Sequence, residues 1–327
     1  MATIKDVAKE AGVAVETVSR VLNNRGYISQ KTRDKVEQAM QKIGYMPNAI
    51  AQGLSKKNMG CIAVIVSHIE HPYFAKMISK IEKEATERNY KVLLYNSYGK
   101  EQNEKYALQF CQSSFISGVL LFSPDISEKT LKDLNIPIVL VEKNAIGNAV
   151  SIQCDNKGGG RTAAEHLLEK KCIHPLVFAT SYNEEMSGNI REVEFMKTCE
   201  KAGIHADLYS ATVINYESMD YYEIIEKALD EHPECDGIFA TSDLICAQII
   251  QVCAKRGICI PQDIKLIGFD DVELAKLTSP TLTTIRQPIR EMVKAALDAI
   301  EKIHAGETVE KNQILPVNLI ERESTCS

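Results

Sequence analysis

Residues 3–55 read TIKDVAKEAGVAVETVSRVLNNRGYISQKTRDKVEQAMQKIGYMPNAIAQGLS, and three short helices can be drawn on them. Ile4, Val7, Ala8 and Ala11 recur at helical spacing behind Thr3, whose hydroxyl suits an N-cap, and Gly12 follows where positive φ closes a helix. Val13 and Ala14 make a tight turn. A second helix runs from about Val15 to Asn23, with Val18, Val21 and Leu22 facing inward. Ser29 starts a third, Gln30 to Ile43, with Val36, Ala39, Met40 and Ile43 inward and Gly44 at the stop. Two short helices joined by a three-residue turn containing glycine form the helix-turn-helix signature.

In such a unit the second helix lies in the major groove of DNA. Its outward residues are Val15, Glu16, Thr17, Ser19 and Arg20. Arg20 suits guanine O6 and N7, Val15 a thymine methyl and Glu16 a cytosine amino group. Thr17, Ser19 and Asn23 suit phosphates, which set register rather than sequence. Pro47 opens a segment of only about two turns, marginal as an isolated helix in water. Near its end stands Leu54, the kind of apolar wedge that minor-groove binders insert between base steps. Thr3, Tyr45, Asn48 and Ala51 complete the residues expected at DNA. The bland alternatives are a simple three-helix bundle and a plain linker.

Charge divides in the same way. The chain of 327 residues has a net charge of −6, yet residues 1–60 hold ten Lys or Arg against five Asp or Glu, a surplus of five. The remainder therefore carries −11, so a small basic head sits on an acidic body, as suits a DNA-binding module fused to a separate domain. No apolar run approaches the roughly 18 residues that span a bilayer, and the N-terminus has no apolar signal core, so a cytoplasmic protein with no membrane association is expected. None of the ten cysteines forms a C-x-x-C pair, and most lie in apolar stretches, which points to reduced, buried thiols.

From Cys61 onward, short apolar strands alternate with amphipathic helices. The strands expected are Cys61–Ser67, Val92–Asn96, Gly118–Phe122, Ile138–Val141, Leu176–Thr180, Gly237–Ala240 and Lys265–Gly268. Helices are expected at Phe74–Arg88, Lys157–Lys171, Ile190–Ala202, Asp243–Arg256 and Ile289–His304. Continuous apolar strands with helical crossovers imply parallel sheets covered on both faces. The pattern occurs twice, before and after about residue 158, so two similar α/β lobes with a cleft between them are expected. Ligands of open α/β sheets sit at the carboxyl ends of strands. That places His68 to Phe74, Glu142 and Lys143, Arg191, Ser242 and Asp243, and Asp270 and Asp271 at the cleft. Polar groups with aromatic rings suit a polyol. Asp243, at a helix start, reads equally well as a cap.

Residues 3–55 resemble the DNA-binding head and hinge helix of the lactose/galactose repressor (LacI/GalR) family. The likeness continues through CDNKGGGRTAAEHLL (154–168), DGIFATSDLICAQII (236–250), GICIPQDIKLIGFDD (257–271), SPTLTTIRQPIREM (279–292) and LIEREST (319–325), and looks most like the sucrose-operon repressors. It implies a helix-turn-helix head at 1–46, a hinge helix and linker at 47–59, and a periplasmic-binding-protein-like effector-binding and dimerisation body of two doubly wound lobes at 60–327. The first lobe would take about 60–157 plus 288–316, the second about 158–287 plus 317–327. It also implies effector contacts at His71, Tyr73 or Phe74, Glu142, Arg191, Ser242, Asp270 and Gln287. Two departures stand out: Ala14 replaces the usual capping serine of the recognition helix, and Glu142–Lys143 replaces the usual Asp-Arg. No leucine-heptad tail follows the last strand, so a homodimer is expected.

The function so implied is that of a bacterial, nucleoid-associated repressor of a carbohydrate-utilisation operon. A small sugar or sugar phosphate would release it from a pseudo-palindromic double-stranded operator, with no cofactor. The alternatives are a regulator answering to a purine-type ligand or a protein corepressor, and a solute sensor that binds no DNA. Gly158–Gly160 lacks the Lys-Ser of a phosphate loop and reads as a helix start. His68-x-x-His71 has no third ligand for a metal. No nucleophile elbow is present, so no catalysis is expected.

Overall fold

A computed structural model describes residues 2–23, 26–46, 60–113, 116–123, 126–180 and 188–326. It divides into two compact units, Met1–Gly60 and Cys61–Ser327. Asn48, Ala51 and Leu54, and the hinge expected at 47–59, lie outside the described residues.

The first unit comprises α1 (Ile4–Ala11), α2 (Val15–Leu22) and α3 (Gln30–Ile43). Local chemistry sets their ends. The Asp6 amide donates to the Thr3 hydroxyl at 3.4 Å while the Thr3 amide donates to the Asp6 carboxylate at 2.8 Å, a reciprocal capping box. Ser29 caps α3, and Gly12 and Gly44 close α1 and α3 at φ 65° and 64°. Ala14 gives α2 no side-chain cap. Val7, Ala8, Val18, Val21, Val36 and Ala39 form the core.

The second unit holds two six-stranded sheets. In the first, β1 (Cys61–Val66), β2 (Lys91–Asn96), β3 (Gly118–Leu121), β4 (Ile138–Val141), β5 (Val150–Cys154) and β11 (Asn312–Leu315) run parallel in the order β11-β5-β4-β3-β1-β2. In the second, β6 (Pro175–Ala179), β7 (Asp207–Ser210), β8 (Gly237–Ala240), β9 (Lys265–Asp270), β10 (Thr283–Arg286) and β12 (Asn318–Ile320) follow the order β12-β10-β9-β8-β6-β7. This sheet is parallel except that β12 pairs antiparallel with β10 at one edge. The chain passes between the sheets three times: after β5, after β10 and between β11 and β12. One apolar core runs through both lobes, from Val64, Leu120 and Ile152 to Phe195, Phe239 and Phe269.

Helices α4 (Pro72–Glu87) and α13 (Ile289–Ala305) pack on the first sheet and on each other. Helix α5 (Glu101–Ser113) lies against β1, and α6 (Glu128–Leu131) follows β3. On the second sheet, α7 (Asn156–Glu169) packs against α8 (Gly188–Lys201), and α11 (Asp243–Arg256) against β8 and β9. Shorter helices are α9 (Val213–Ser218), α10 (Tyr222–Glu231) and α12 (Leu274–Leu277). Among the described residues no helix is long and apolar enough to cross a membrane. Cys111, Cys154, Cys172, Cys199, Cys235, Cys246 and Cys253 are buried free thiols, and Cys259 and Cys326 are exposed ones.

Gly158–Gly160 lies in the first turn of α7, behind the Asp155 cap. A Cβ at Gly160 would stand 2.1 Å from the Arg191 carbonyl oxygen, and one at Gly159 2.6 Å from the Phe269 ring. The glycines thus let α7 meet both α8 and the sheet at backbone distance. In an ordinary helix, replacing glycine by alanine stabilises by up to about 1 kcal/mol. For Gly160→Ala the opposite is expected, a loss of about 1–3 kcal/mol through overpacking. Denaturant unfolding measures it, and a stabilised variant would refute the close approach.

Candidate functional site

The face of α2 that sequence assigns to DNA is partly as expected. Glu16 and Arg20 are exposed and Thr17 and Ser19 half-buried. Val15 is half-buried like Thr17 and Ser19 and packs in part against the head's core, so part of it still faces outward. Tyr45 packs there too. The Asn23 amide donates to the Ser19 carbonyl at 2.9 Å at the end of α2, so it is committed locally. The exposed Thr3 hydroxyl donates to Asp6 at 2.7 Å. Tyr27, in the same unit, is 97% exposed.

In the body, strand ends converge on one cavity between the lobes. Ser67 follows β1, Phe122 and Ser123 follow β3, and Glu142 and Lys143 follow β4, while Thr180, Thr241, Asp270 and Gln287 stand at or just past the ends of β6, β8, β9 and β10. His71, Tyr73 and Phe74 enter from the start of α4, Arg191 from α8, Tyr216 from α9 and Ser242 from the cap of α11. All eight residues assigned to an effector line this cavity, although they are scattered from 71 to 287. It leaves about 120 Å³ to the centre of a water molecule, where one water needs about 10–15 Å³. That is room for a small organic ring rather than an ion. Tyr216 escaped the sequence reading because α9 is six residues long and follows an alternately exposed strand.

The electrostatic centre is Arg191. Its guanidinium is buried, donates from Nε to Asn156 Oδ1 at 2.6 Å and from NH1 to the Thr241 carbonyl at 3.0 Å, and lies 3.7 Å above the Phe269 ring. Glu142 stands 3.5 Å away and Asp270 3.7 Å. Glu142 is tied down further, accepting from the Cys154 amide at 2.7 Å and the Asn156 amide at 2.8 Å. Burial pushes the Asp270 carboxyl up to about 7, against the opposing pull of Arg191 and a 2.7 Å hydrogen bond from Gln287. Burial brings His71 down to about 4, so its ring is neutral, and its Nδ1 caps α4 by accepting from the Tyr73 amide at 3.2 Å. Tyr73 Oη and Gln287 Oε1 are buried polar atoms with no partner among the described residues. Unpaired buried polar atoms cost stability, and both belong to residues of the cavity wall.

Comparison with known proteins fits both units. Residues 3–48 match the family model of bacterial regulatory proteins, lacI family, and residues 164–325 that of the periplasmic binding protein-like domain. The chain is 32% identical to the sucrose operon repressor of Streptococcus mutans, over 99% of each chain. The chain belongs to the lacI family of bacterial regulatory proteins. It is 31% identical to the ribose operon repressor of Halalkalibacterium halodurans, over 99% of this chain and 97% of that one. Among solved structures it resembles a periplasmic binding protein/LacI transcriptional regulator from Alkaliphilus metalliredigens, complexed with D-xylulofuranose. That likeness has a TM-score of 0.74 and 30% identity over 82% of this chain and 100% of that one. As a lacI-family protein the chain is a DNA-binding transcriptional regulator rather than an enzyme, with its helix-turn-helix in the first unit.

Three of the stretches that carry the family likeness supply Thr241, Ser242, Asp270 and Gln287 to the cavity. Asp243 is neither cap nor pocket wall: Ser242 caps α11, and Asp243, fully buried, accepts from Thr284 Oγ1 at 2.6 Å and the Val272 amide at 2.9 Å. Burial, and then Asp270, push its carboxyl well above the usual range. Asp271 behaves oppositely. Burial pushes it up, but Arg322 and Arg286, each at 2.6 Å, hold it below the usual value. Asp270 and Asp271 have φ of 107° and 50°, a conformation that costs residues with a Cβ about 1–3 kcal/mol each.

Removing Arg191 leaves Glu142 and Asp270 facing each other in a buried site. For Arg191→Ala the body is expected to lose about 3–5 kcal/mol at pH 8.5. The folded Asp270 carboxyl sits above its unfolded value, so its protonated form stabilises at low pH and that contribution is lost as pH rises through about 7. The deficit should therefore shrink at pH 6. Thermal melts of native and variant protein at both values check this, and a deficit independent of pH would contradict the buried pairing.

Proposed function

We propose that this chain is a cytoplasmic homodimeric repressor of a carbohydrate-utilisation operon, released from operator DNA when a small sugar or sugar phosphate fills the cleft between its lobes. The observation that carries the reading is the convergence of His71, Tyr73, Phe74, Glu142, Arg191, Ser242, Asp270 and Gln287 on one cavity at the carboxyl ends of two sheets. Carboxylates and an amide oxygen accept from sugar hydroxyls, Arg191 and Lys143 present cationic donors, and Phe74, Phe122 and Tyr216 offer faces to C–H bonds. Named relatives support a sugar: sucrose and ribose operon repressors match along their length, and a structural relative is complexed with D-xylulofuranose.

Two heads read the two halves of a pseudo-palindrome, Arg20 supplying the base contact and Glu16, Thr17 and Ser19 its neighbours. Residues 47–59 act as the hinge, with Asn48, Ala51 and Leu54 at the minor groove. Residues 60–327 bind effector and dimerise. Filling the cleft shifts the lobes and disfavours the ordered hinge. A coupling of about 1–3 kcal/mol changes operator affinity roughly 5–150-fold.

A thermal-shift screen of sugars and sugar phosphates tests the effector class, since a ligand at about 100 times its dissociation constant adds roughly 2.7 kcal/mol. If no carbohydrate shifts the melt, the sugar reading fails. Arg20→Ala is expected to lower specific operator affinity by about 1–3 kcal/mol and relax one base position. An unaltered footprint would remove α2 from the groove. Asp270→Ala should keep operator binding yet ignore the effector, and release at the native effector concentration would remove Asp270 from the site.

A further inference from the structure

We infer that Lys76, on α4 of the first lobe, is a positioning residue for the ligand site: by gripping the Asp271 carbonyl across the lobe boundary it aims the Asp270 carboxylate into the cleft. The inference rests on the reading of the cleft as the effector site and adds to it a residue that does not line the cavity.

The argument begins with the corner that ends β9. Asp270 and Asp271 both take positive φ, so this backbone persists only because its surroundings hold it. The second lobe provides several grips. Arg286 and Arg322 bracket the Asp271 carboxylate at 2.6 Å each, and the Asp271 amide donates to Thr284 Oγ1 at 3.4 Å. Gln287 Nε2 donates to Asp270 Oδ1 at 2.7 Å. The Asp271 carbonyl is met from the other lobe, by the Lys76 ammonium. Lys76 is half-buried; burial, helped by the nearby Lys276, holds its ammonium below the usual range, while Asp271, Asp243 and Asp270 around it pull the other way. A cation brought out of water toward three aspartates and a carbonyl is placed to orient them.

Charge gives Lys76 a second hold on Asp270. The groups that face this carboxyl are Arg191 from α8, Glu142 after β4, Gln287 after β10, Asp243 and Cys246 from α11, Cys154 from β5, and Tyr73 and Lys76 from α4. Arg191 and Lys76 are the cations of that set, so losing Lys76 favours the protonated acid. A protonated Asp270 gives up acceptor capacity, and sugar hydroxyls bind it less well.

The test uses full-length protein and the variants Lys76→Met, Lys76→Gln and Lys76→Arg. Aspartate carboxyls are titrated by 13C NMR without ligand, with Asp270→Asn to assign the signal. In Lys76→Met the Asp270 midpoint is expected to rise by about half a pH unit or more, roughly a threefold gain in proton affinity. Lys76→Arg should restore it, and Lys76→Gln, which keeps a donor without charge, should fall with Met. Calorimetry with D-ribose, D-xylulose, D-fructose and sucrose then reads binding. For any of these that binds the native protein, Lys76→Met should weaken it about twofold or more at pH 7 and less at pH 8.5, with operator affinity unchanged. An Asp270 midpoint that stays put in a folded Lys76→Met or Lys76→Gln variant overturns the inference. So does a folded Lys76→Met variant that binds these sugars as tightly as the native protein at both pH values. If the midpoint moves but none of the four sugars binds the native protein, the sugar reading fails while the hold of Lys76 on Asp270 stands.

Discussion

The body is organised around one buried cation. Taking the Arg191 guanidinium out of water costs several kcal/mol, recovered only when its donors and charge are met with good geometry. The partners that meet it come from both lobes. Glu142 belongs to the end of a first-lobe strand, Asn156 to the start of the helix that follows the crossing, and Thr241, Asp270 and the Phe269 ring to the second lobe. Neither lobe alone satisfies Arg191, so the group that polarises the cleft also ties its two walls together. Its own placement rests on α8, which the glycines of α7 admit at backbone contact.

The position of this network follows from the topology. The chain passes between sheets after β5, after β10 and between β11 and β12. Asn156 and Gln287 stand just beyond the first two passages, and both take part in the polar network of the cavity. Residues at crossings are where small φ and ψ changes turn one lobe against the other. On the proposed reading Gln287 therefore stands both at the cavity wall and at a crossing, while Asn156, which does not line the cavity, reaches it through Arg191 and Glu142.

What sequence revealed, and what it hid, follows from how local each signal is. The ends of α1 and α3 were legible because Thr3, Gly12, Ser29 and Gly44 satisfy or close helix termini by contacts within a few residues. Apolar strands such as β1, β4 and β8 stood out as continuous runs. Strand β5 did not, because Ser151 and Gln153 are buried polar residues paired by Lys143 and Asn144, partners invisible until the fold is known. β10 hides for the same reason, its Thr283 and Thr284 bonded to Arg322 and Asp243. The edge strands β7, β11 and β12 are partly exposed and carry no apolar run. Strand ends gave the cavity wall, since ligands gather there on any open α/β sheet. The role of Asp243 stayed hidden: its helix-start position mimics a cap, and only the fold shows it buried beneath β10.

The energies involved are well matched. On the proposed reading of residues 47–59 as a hinge, a helix of about two turns there is marginal in water on its own. A bias of one or two kcal/mol from a neighbouring body is enough to tip it. Single hydrogen bonds to charged groups contribute about 1.5–3 kcal/mol, the scale on which a ligand hydroxyl acts at Asp270 or Arg191. A longer, self-sufficient helix in the hinge would need a far larger signal, and a cleft lined only by apolar groups would supply a weaker and less selective one. On the proposed reading the short hinge and the charged cleft are therefore complementary: both work at the same few kcal/mol.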